Sequence, residues 1–477
     1  MSKAQVWKQG APGEPTFPED FEVLQKAVLQ VTDIKTNRNK YYAIELHQAG
    51  NQFRVFTHYG RTDDLETNPN AGVRESRYLL SLPDAQRTYN QIYHQKTSAA
   101  KGYQEVNLAS SRIGSERGRG KSSGHMDAAT LERLEGAPGT PKPEIKQSTL
   151  APGIQDLVRF LYEEATNALT STVAVRITAN GIETPLGVLT LGQIEKGQAI
   201  LDQLYDAFQS KKGKNAKADL LTDLSGEFYT VVPHRIGRSR QAAEAAVIDT
   251  LADFQQKQET LQLMRDMLKV NGDGGNVLYD DAVDQKYAAL GCTIGALAPE
   301  SPKFKELKEY IEGSQVKTKS VRVKTIYALR REEEHARYAK EVGNDRLLFH
   351  GSASKNWVGL LSRGILLPKI VVSMGVNRTD AGWLGHGIYF GDAVCTTLYY
   401  AHPSRRKTRL MAVASVALGK SKEFKKITYG LDAPPPGYDS CHGVRRKPLR
   451  PSEFEDDEFV VYRAEQQRLE YLVEYTG

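Results

Sequence analysis

Cysteine is scarce in this 477-residue chain: Cys292, Cys395 and Cys441 are the only three, and no two have the close spacing of a zinc knuckle. Neither structural zinc nor a disulfide framework is expected. No apolar run approaches the roughly 18 residues of a membrane span, so no membrane partner is expected. Met1–Gly10 lacks the apolar segment of a signal peptide, which predicts an intracellular protein, nuclear in a eukaryote and cytoplasmic in a bacterium. The charge has no strong sign. Against 58 Asp and Glu stand 64 Lys and Arg, and the balance of +6 permits contact with nucleic acid or an anionic cofactor while demanding neither. No Gly-x-Gly-x-x-Gly follows a strand-like run, which disfavours a Rossmann dehydrogenase. Gly120-Lys121-Ser122 imitates the end of a phosphate-binding loop, but Ser115 stands where that loop needs glycine and no apolar strand leads in.

What is present divides along the chain, and at roughly 150 residues per domain the length predicts about three domains. Residues 1–108 form the first. Tyr42, Ile44 and Leu46 alternate in Lys40–Leu46, as do Phe53, Val55, Thr57 and Tyr59 in Gln52–Tyr59, so two half-buried strands are expected around the turn Ala49-Gly50-Asn51. Asp84–Thr97 follows as a helix, with Tyr89, Ile92 and Tyr93 at core spacing. From 109 to 149 the composition shifts to Gly, Ser, Pro and charge, which predicts a flexible linker.

Residues 150–272 take a helical period. Leu157, Leu161, Ala165 and Leu169 make one apolar stripe, Ile194, Leu201, Leu204 and Phe208 a second, and Ala242–Leu268 a third. Thr190-Leu191-Gly192-Gln193 reads as a capping box. An all-α bundle is expected here. Residues 273–477 then turn to strands such as Lys317–Leu329, so the whole chain is expected to be multidomain α+β.

Within that last part, three short apolar runs each end at or carry one polar residue: Leu347–Ser352 with His350, Gly385–Phe390 with Tyr389, and Asp456–Tyr462 with Glu458. Singly, each is as readily structural. Their order and neighbours decide: His-Gly-Ser, then Gly-x-Gly-Ile-Tyr-Phe-x-Asp, then Glu-Phe-Val-Val-Tyr resembles the His-Tyr-Glu signature of the poly(ADP-ribose) polymerase family. Ala433–Ser440 and Phe454–Phe459 look especially like its vault-associated branch. Tyr59-Gly60-Arg61 falls where a WGR domain carries Trp-Gly-Arg, and Leu186–Leu189 with Asp223–His234 resembles the family's helical regulatory domain.

The resemblance implies an antiparallel-sheet ADP-ribosyltransferase domain that takes NAD as co-substrate and needs no metal. It implies poly(ADP-ribosyl)ation of proteins, the chain itself included, stimulated by DNA ends or nicks through Tyr59 and Arg61, with the helical region hindering NAD access until DNA loosens it. Transfer of a single ADP-ribose, and a silent scaffold that only binds breaks, stay open as alternatives. By the same carry-over, Gly351 and the Thr397 hydroxyl hold the nicotinamide carboxamide, and Tyr389 and Tyr400 sandwich its ring. His350, Ser352 and Asn356 meet the adenosine side, and Glu458 accepts from the nicotinamide ribose. Three departures stand out: Thr396 where well-studied polymerases have Lys, Leu366 where they have Arg, and an unusual loop Lys369–Ala381.

Overall fold

A computed structural model describes residues 4–123, 148–178, 181–210, 213–234, 236–270, 283–316, 319–367 and 382–477. They fall into two compact units, one of residues 1–144 and 169–279, the other of 145–168 and 280–477. The first helix of the expected regulatory region, Pro152–Thr172, therefore contributes most of its length to the second unit.

The first unit opens with a six-stranded sheet of order β1-β5-β4-β3-β2-β6, all pairs antiparallel. Its strands are β1 Trp7–Lys8, β2 Glu22–Asp33, β3 Arg38–Ala49, β4 Gln52–Arg61, β5 Val73–Leu79 and β6 Gln104–Glu105. The expected hairpin is present, and Gly50 at its tip takes a left-handed φ of 57° that costs glycine little. On one face Tyr42, Ile44 and Leu46 pack with Ala85 and Tyr89 of the helix Leu82–Thr97. The other face was expected to meet solvent. Instead Tyr41 and Ala43 are covered by Val106, Leu108, Ile113 and Leu186, so β3 is buried on both sides.

That cover corrects the flexible-linker expectation for residues 109–123. Leu108–Ser111 (β7) joins Gly187–Leu189 (β10), Gly181–Glu183 (β9) and Arg176–Thr178 (β8) in a second, four-stranded sheet. Only glycine fits at 187, where a Cβ would meet the Ser110 carbonyl oxygen at 2.1 Å. The remainder of the expected linker, 124–147, lies outside the described residues. The segment is held by charge as much as by apolar contact. The Ser115 amide and hydroxyl donate to the buried Glu45 carboxylate, which also meets Lys26 at 2.9 Å and His47 at 2.8 Å. Lys26 donates in turn to the Ile113 carbonyl at 2.7 Å. Ser, Arg and Gly cannot build a core of their own, but here they supply donors and a tight backbone to a charge that the sheet has already buried.

Three strands inside 150–272 also mean that this region is not all-α. Its helices Leu191–Gln209, Lys214–Val231 and Leu251–Val270 do bury the expected stripes, Ile194, Leu201, Leu204, Phe254 and Met264 among them. Half of the capping box forms: the Thr190 hydroxyl accepts from the Gln193 amide at 3.2 Å. The Gln193 side chain does not reach back, because it bridges the Asn107 amide and the Val231 carbonyl. The stripe over 242–268 is broken between a short helix Arg240–Glu244 and the start of the next, where Thr250 caps the Asp253 amide.

The second unit is built on a nine-stranded sheet of order β11-β12-β19-β15-β13-β14-β18-β17-β16. The ranges are β11 Thr293–Ala296, β12 Arg322–Arg330, β13 Asp345–Ser352, β14 Ile388–Gly391, β15 Arg409–Ala417, β16 Ser421–Phe424, β17 Ser440–Gly443, β18 Glu458–Val461 and β19 Gln467–Thr476. Every pair is antiparallel except the edge pair β16 with β17, so the sheet is mixed. Phe349, Met411, Val413, Val473 and Tyr475 form its main core with Phe304, Leu307 and Ile311 of the helix Pro302–Gly313. Within the same unit, Asp156 of the helix Pro152–Thr172 pairs with Arg406 at 2.5 Å, and Tyr162 donates to the Lys286 carbonyl.

Candidate active site

β14 lies between β13 and β18, with Phe349 opposite Gly391 on one side and Glu458 opposite Gly391 on the other. Side chains alternate along a strand, so the pairs Tyr389–Val460 and Gly391–Glu458 put the Tyr389 ring and the Glu458 carboxylate on one face. β17 adds Gly443 across from Glu458 on its far side. Glu458 is thus half-buried between two glycines, with no cross-strand side chain over it. Thr396 borders one flank and Phe454 the other.

Tyr389 is pinned through its hydroxyl, which donates to the Gly385 carbonyl at 2.6 Å and accepts from the Leu384 amide at 3.0 Å. Burial, with Glu458 and Tyr400 nearby adding to it, drives the phenol pKa far above its ordinary value. The ring is therefore a neutral platform. Tyr400 is half-buried at the end of the short helix Val394–Thr397, its amide donating to the Thr397 carbonyl. His350 turns onto the β14 backbone, with Nδ1 3.0 Å from the Tyr389 carbonyl oxygen. A carbonyl only accepts, so Nδ1 carries the proton. Burial keeps the imidazole pKa below its usual value, and the neutral ring presents Nε2 as an acceptor.

Gly351 is a close approach: a Cβ there would stand 2.8 Å from the Thr397 carbonyl oxygen. Ser352 accepts from Asn356 Nδ2 at 3.1 Å, and Trp357 Nε1 donates to the Ser352 carbonyl at 3.2 Å, which ties the end of β13 to the turn after it. Thr397 is less open than its expected role asks. Its hydroxyl donates to the Val394 carbonyl at 2.7 Å and lies 2.7 Å from Tyr475 Oη, so it has lone-pair capacity left but no spare proton. Thr396 is buried and donates to Asp456 at 3.0 Å. Leu366 is exposed, and the loop Lys369–Ala381 lies outside the described residues.

In the first unit, Tyr59 stacks on Tyr42 with ring centres 5.1 Å apart and planes 8° from parallel. Its hydroxyl donates to Glu75, and burial together with that bond pushes its pKa up to about 12. Arg61 is committed as well: Nε meets Asp63 at 2.7 Å, and the other two nitrogens meet the Asn37 carbonyl and side chain, with Gly237 O at 3.4 Å. A different pair of cations is less engaged. Arg74 and Arg119 converge on one neutral acceptor, Asn70 Oδ1, at 3.3 and 2.6 Å, and no carboxylate pairs with either among the described residues. Burial and the neighbouring Arg119 lower the Arg74 pKa. Arg119 sits in the stretch whose composition reads as a linker, where Arg and Lys are expected to hold phosphate only non-specifically.

Three family models match the chain in order. Residues 25–110 match the WGR domain, 148–286 the poly(ADP-ribose) polymerase regulatory domain, and 301–477 the poly(ADP-ribose) polymerase catalytic domain. Protein mono-ADP-ribosyltransferase PARP4 of Mus musculus is 33% identical over 471 residues, which cover 97% of this chain and 21% of that protein. Its namesake in Homo sapiens is 28% identical over 97% of this chain and 24% of that protein. Poly [ADP-ribose] polymerase 1 of Arabidopsis thaliana is 27% identical over 91% of this chain and 42% of that protein. The chain thus spans well under half the length of each of these three relatives.

Proposed function

Because this chain belongs to the poly(ADP-ribose) polymerase family, we propose that it transfers ADP-ribose from NAD to proteins, itself included, and extends the product into a polymer. The observation that carries this reading is the pairing of β13, β14 and β18, which sets His350, Tyr389 and Glu458 on three neighbouring strands with glycines beside the carboxylate. In the reaction the C1′–N bond of NAD breaks and nicotinamide leaves with the bonding pair. An acceptor group then closes on the anomeric carbon and gives its proton to solvent.

The transition state is cation-like at the anomeric carbon, so a fixed negative charge nearby stabilises it more than it stabilises bound NAD. Glu458 supplies that charge, accepts from the 2′-hydroxyl of the nicotinamide ribose, and polarises the hydroxyl of an acceptor sugar during elongation. Tyr389 and Tyr400 hold the nicotinamide ring between them, each stack adding about 0.5–1.5 kcal/mol. The Gly351 backbone takes the carboxamide. Thr397 helps there as an acceptor from the carboxamide N–H, unless it gives up Val394. His350 Nε2 accepts from an adenosine-ribose hydroxyl, with Ser352 and Asn356 beside it. No step calls for a metal.

Transfer of a single ADP-ribose is the second reading. It is favoured by Thr396, which brings no cation to the flank of Glu458 and spends its hydroxyl on Asp456. DNA ends or nicks are the proposed activator, bound by the first unit, with Arg74 and Arg119 contributing phosphate contacts in addition to the Tyr59 and Arg61 region. Incubating the purified chain with labelled NAD, with and without nicked duplex, tests all of this. A DNA-enhanced ladder of labelled protein supports polymer synthesis and one sharp band supports single transfer. No incorporation under either condition leaves a break-binding scaffold and overturns the enzymatic reading.

A further inference from the structure

Glu458 is held in place from both sides of the sequence. Phe459, next in the chain, lies between two flat groups: the His442 ring stacks on it at 4.3 Å and 14°, and the Arg346 guanidinium sits 4.7 Å from its centre. Before Glu458 come two aspartates. Asp457 accepts from His442 Nε2 at 2.6 Å and from the Arg445 amide at 3.0 Å. Asp456 is buried and accepts from Thr396. Burial would raise the Asp457 carboxyl, but these hydrogen bonds outweigh it and hold the carboxyl below its ordinary value.

One guanidinium joins this run to the strand that carries Tyr389. Arg445 is mostly buried and reaches Asp392, the residue after β14, at 2.7 Å, Asp457 at 3.5 Å and Asp456 at 3.8 Å. It is thus shared by three carboxylates. Asp392 and Asp456–Asp457 are the two free ends of the β14–β18 ladder, whose last pair is Gly391 with Glu458. Glycine there gives Glu458 no cross-strand side chain of its own to pair with; Thr396, 3.3 Å from where a Gly391 Cβ would stand, takes that space instead, so the register of the last pair rests on what holds the two ends.

We infer that Arg445 is a positioning residue for the Glu458 carboxylate: it ties the exit of β14 to the two aspartates that lead directly into Glu458. The inference rests on the proposed ADP-ribosyl transfer, in which Glu458 acts. Without the guanidinium, three carboxylates lose their shared counter-charge, repel one another, and let the loop before β18 move away from β14. A displacement of about 1 Å at a charge that acts in the transition state is enough for a loss on the order of a hundredfold. Of the proposed NAD contacts, those of Tyr389, Gly351 and His350 do not involve Arg445, so KM for NAD should change far less than kcat.

The test compares Arg445→Met, Arg445→Lys and the exposed neighbour Arg446→Met in the full chain, with kcat and KM for NAD measured separately and folding checked by thermal melting. Arg445→Met is expected to lower kcat at least tenfold with KM within about twofold of the parent. Arg445→Lys, which keeps the charge, should recover part of kcat, and Arg446→Met should match the parent. If Arg445→Met does not fold, Asp392→Asn removes the same strand-to-loop tie and should show the same split. A parent-like kcat in Arg445→Met, a rise in KM that accounts for its loss, or an equal loss in Arg446→Met overturns the inference. Failure of the parent chain to incorporate label would instead remove the reading on which it rests.

Discussion

At the residue scale, Glu458 is defined by what surrounds it: a glycine opposite on either side and anchored neighbours before and after. If its charge acts in the transition state, Glu458→Gln should slow transfer by about 10²–10³-fold, the scale for losing one preorganised electrostatic contact, and should abolish chain growth. Product length on a sequencing gel checks this, and an unchanged ladder would count against the role. The position was legible because the last acid of the run Glu455–Glu458 opens the apolar strand Phe459–Tyr462 inside a recognisable motif. The commitments of Thr397 were not, since Tyr475 lies 78 residues away and only the sheet brings the two hydroxyls together. Glu45 was equally hidden, one acid in an alternating strand. Both it and Lys26 are almost fully enclosed, and burial notwithstanding, the bonds from His47, Lys26 and Ser115 hold its carboxyl down at about 2. Removing that charge strands the Lys26 ammonium, so Glu45→Gln is expected to cost roughly 3–5 kcal/mol of stability in a denaturant titration, far more than a surface acid.

At the scale of elements, composition misled where a segment borrows its stability from elsewhere. Residues 109–123 have one well-buried aliphatic anchor after Leu108, Ile113, and otherwise survive by hydrogen bonds to the sheet beneath. One of these gives the segment a pH dependence. His58 Nδ1 accepts from the Gly114 amide at 3.1 Å, and Nε2 faces the Ala71 carbonyl, so the neutral ring fits and a second proton would point at an N–H. Burial lowers its pKa to about 4, and that of His234, also enclosed in the first unit, to about 3. Unfolded histidines take up a proton near pH 6.5. Below that value the unfolded state binds more protons than the native one, so stability is full above pH 6.5 and falls as pH drops toward 4, by up to about 1.4 kcal/mol per pH unit for each ring. Chemical denaturation between pH 7.5 and 4.5 should show this decline, and His58→Gln should make it shallower by the share of one ring, leaving that of His234. By contrast, strands and helices with their own periodicity, such as β3, β4 and Leu191–Gln209, were readable from sequence to within a few residues.

At the scale of the molecule, the order of the three matched segments was legible and their partition into compact units was not. Which neighbour a helix joins depends on long-range pairs such as Asp156 with Arg406, 250 residues apart, and no local pattern encodes those. The same limit applies to charge. A balance of +6 spread over 477 residues says little, whereas the fold brings Arg74 and Arg119 to one asparagine with no acid paired to either among the described residues. Two like charges so placed favour an anion between them, and on DNA that anion is a backbone phosphate. Each neutralised phosphate contributes about 0.9 to the slope of log affinity against log salt. Replacing both arginines by glutamine should therefore reduce the magnitude of that slope for nicked duplex by about 0.9, with the loss of affinity the same for every sequence. Replacing Arg87, which pairs with Asp84 on the exposed helix Leu82–Thr97, should leave it unchanged. Fluorescence anisotropy across a salt series measures all three proteins, and a slope common to them would assign DNA contact elsewhere on the first unit.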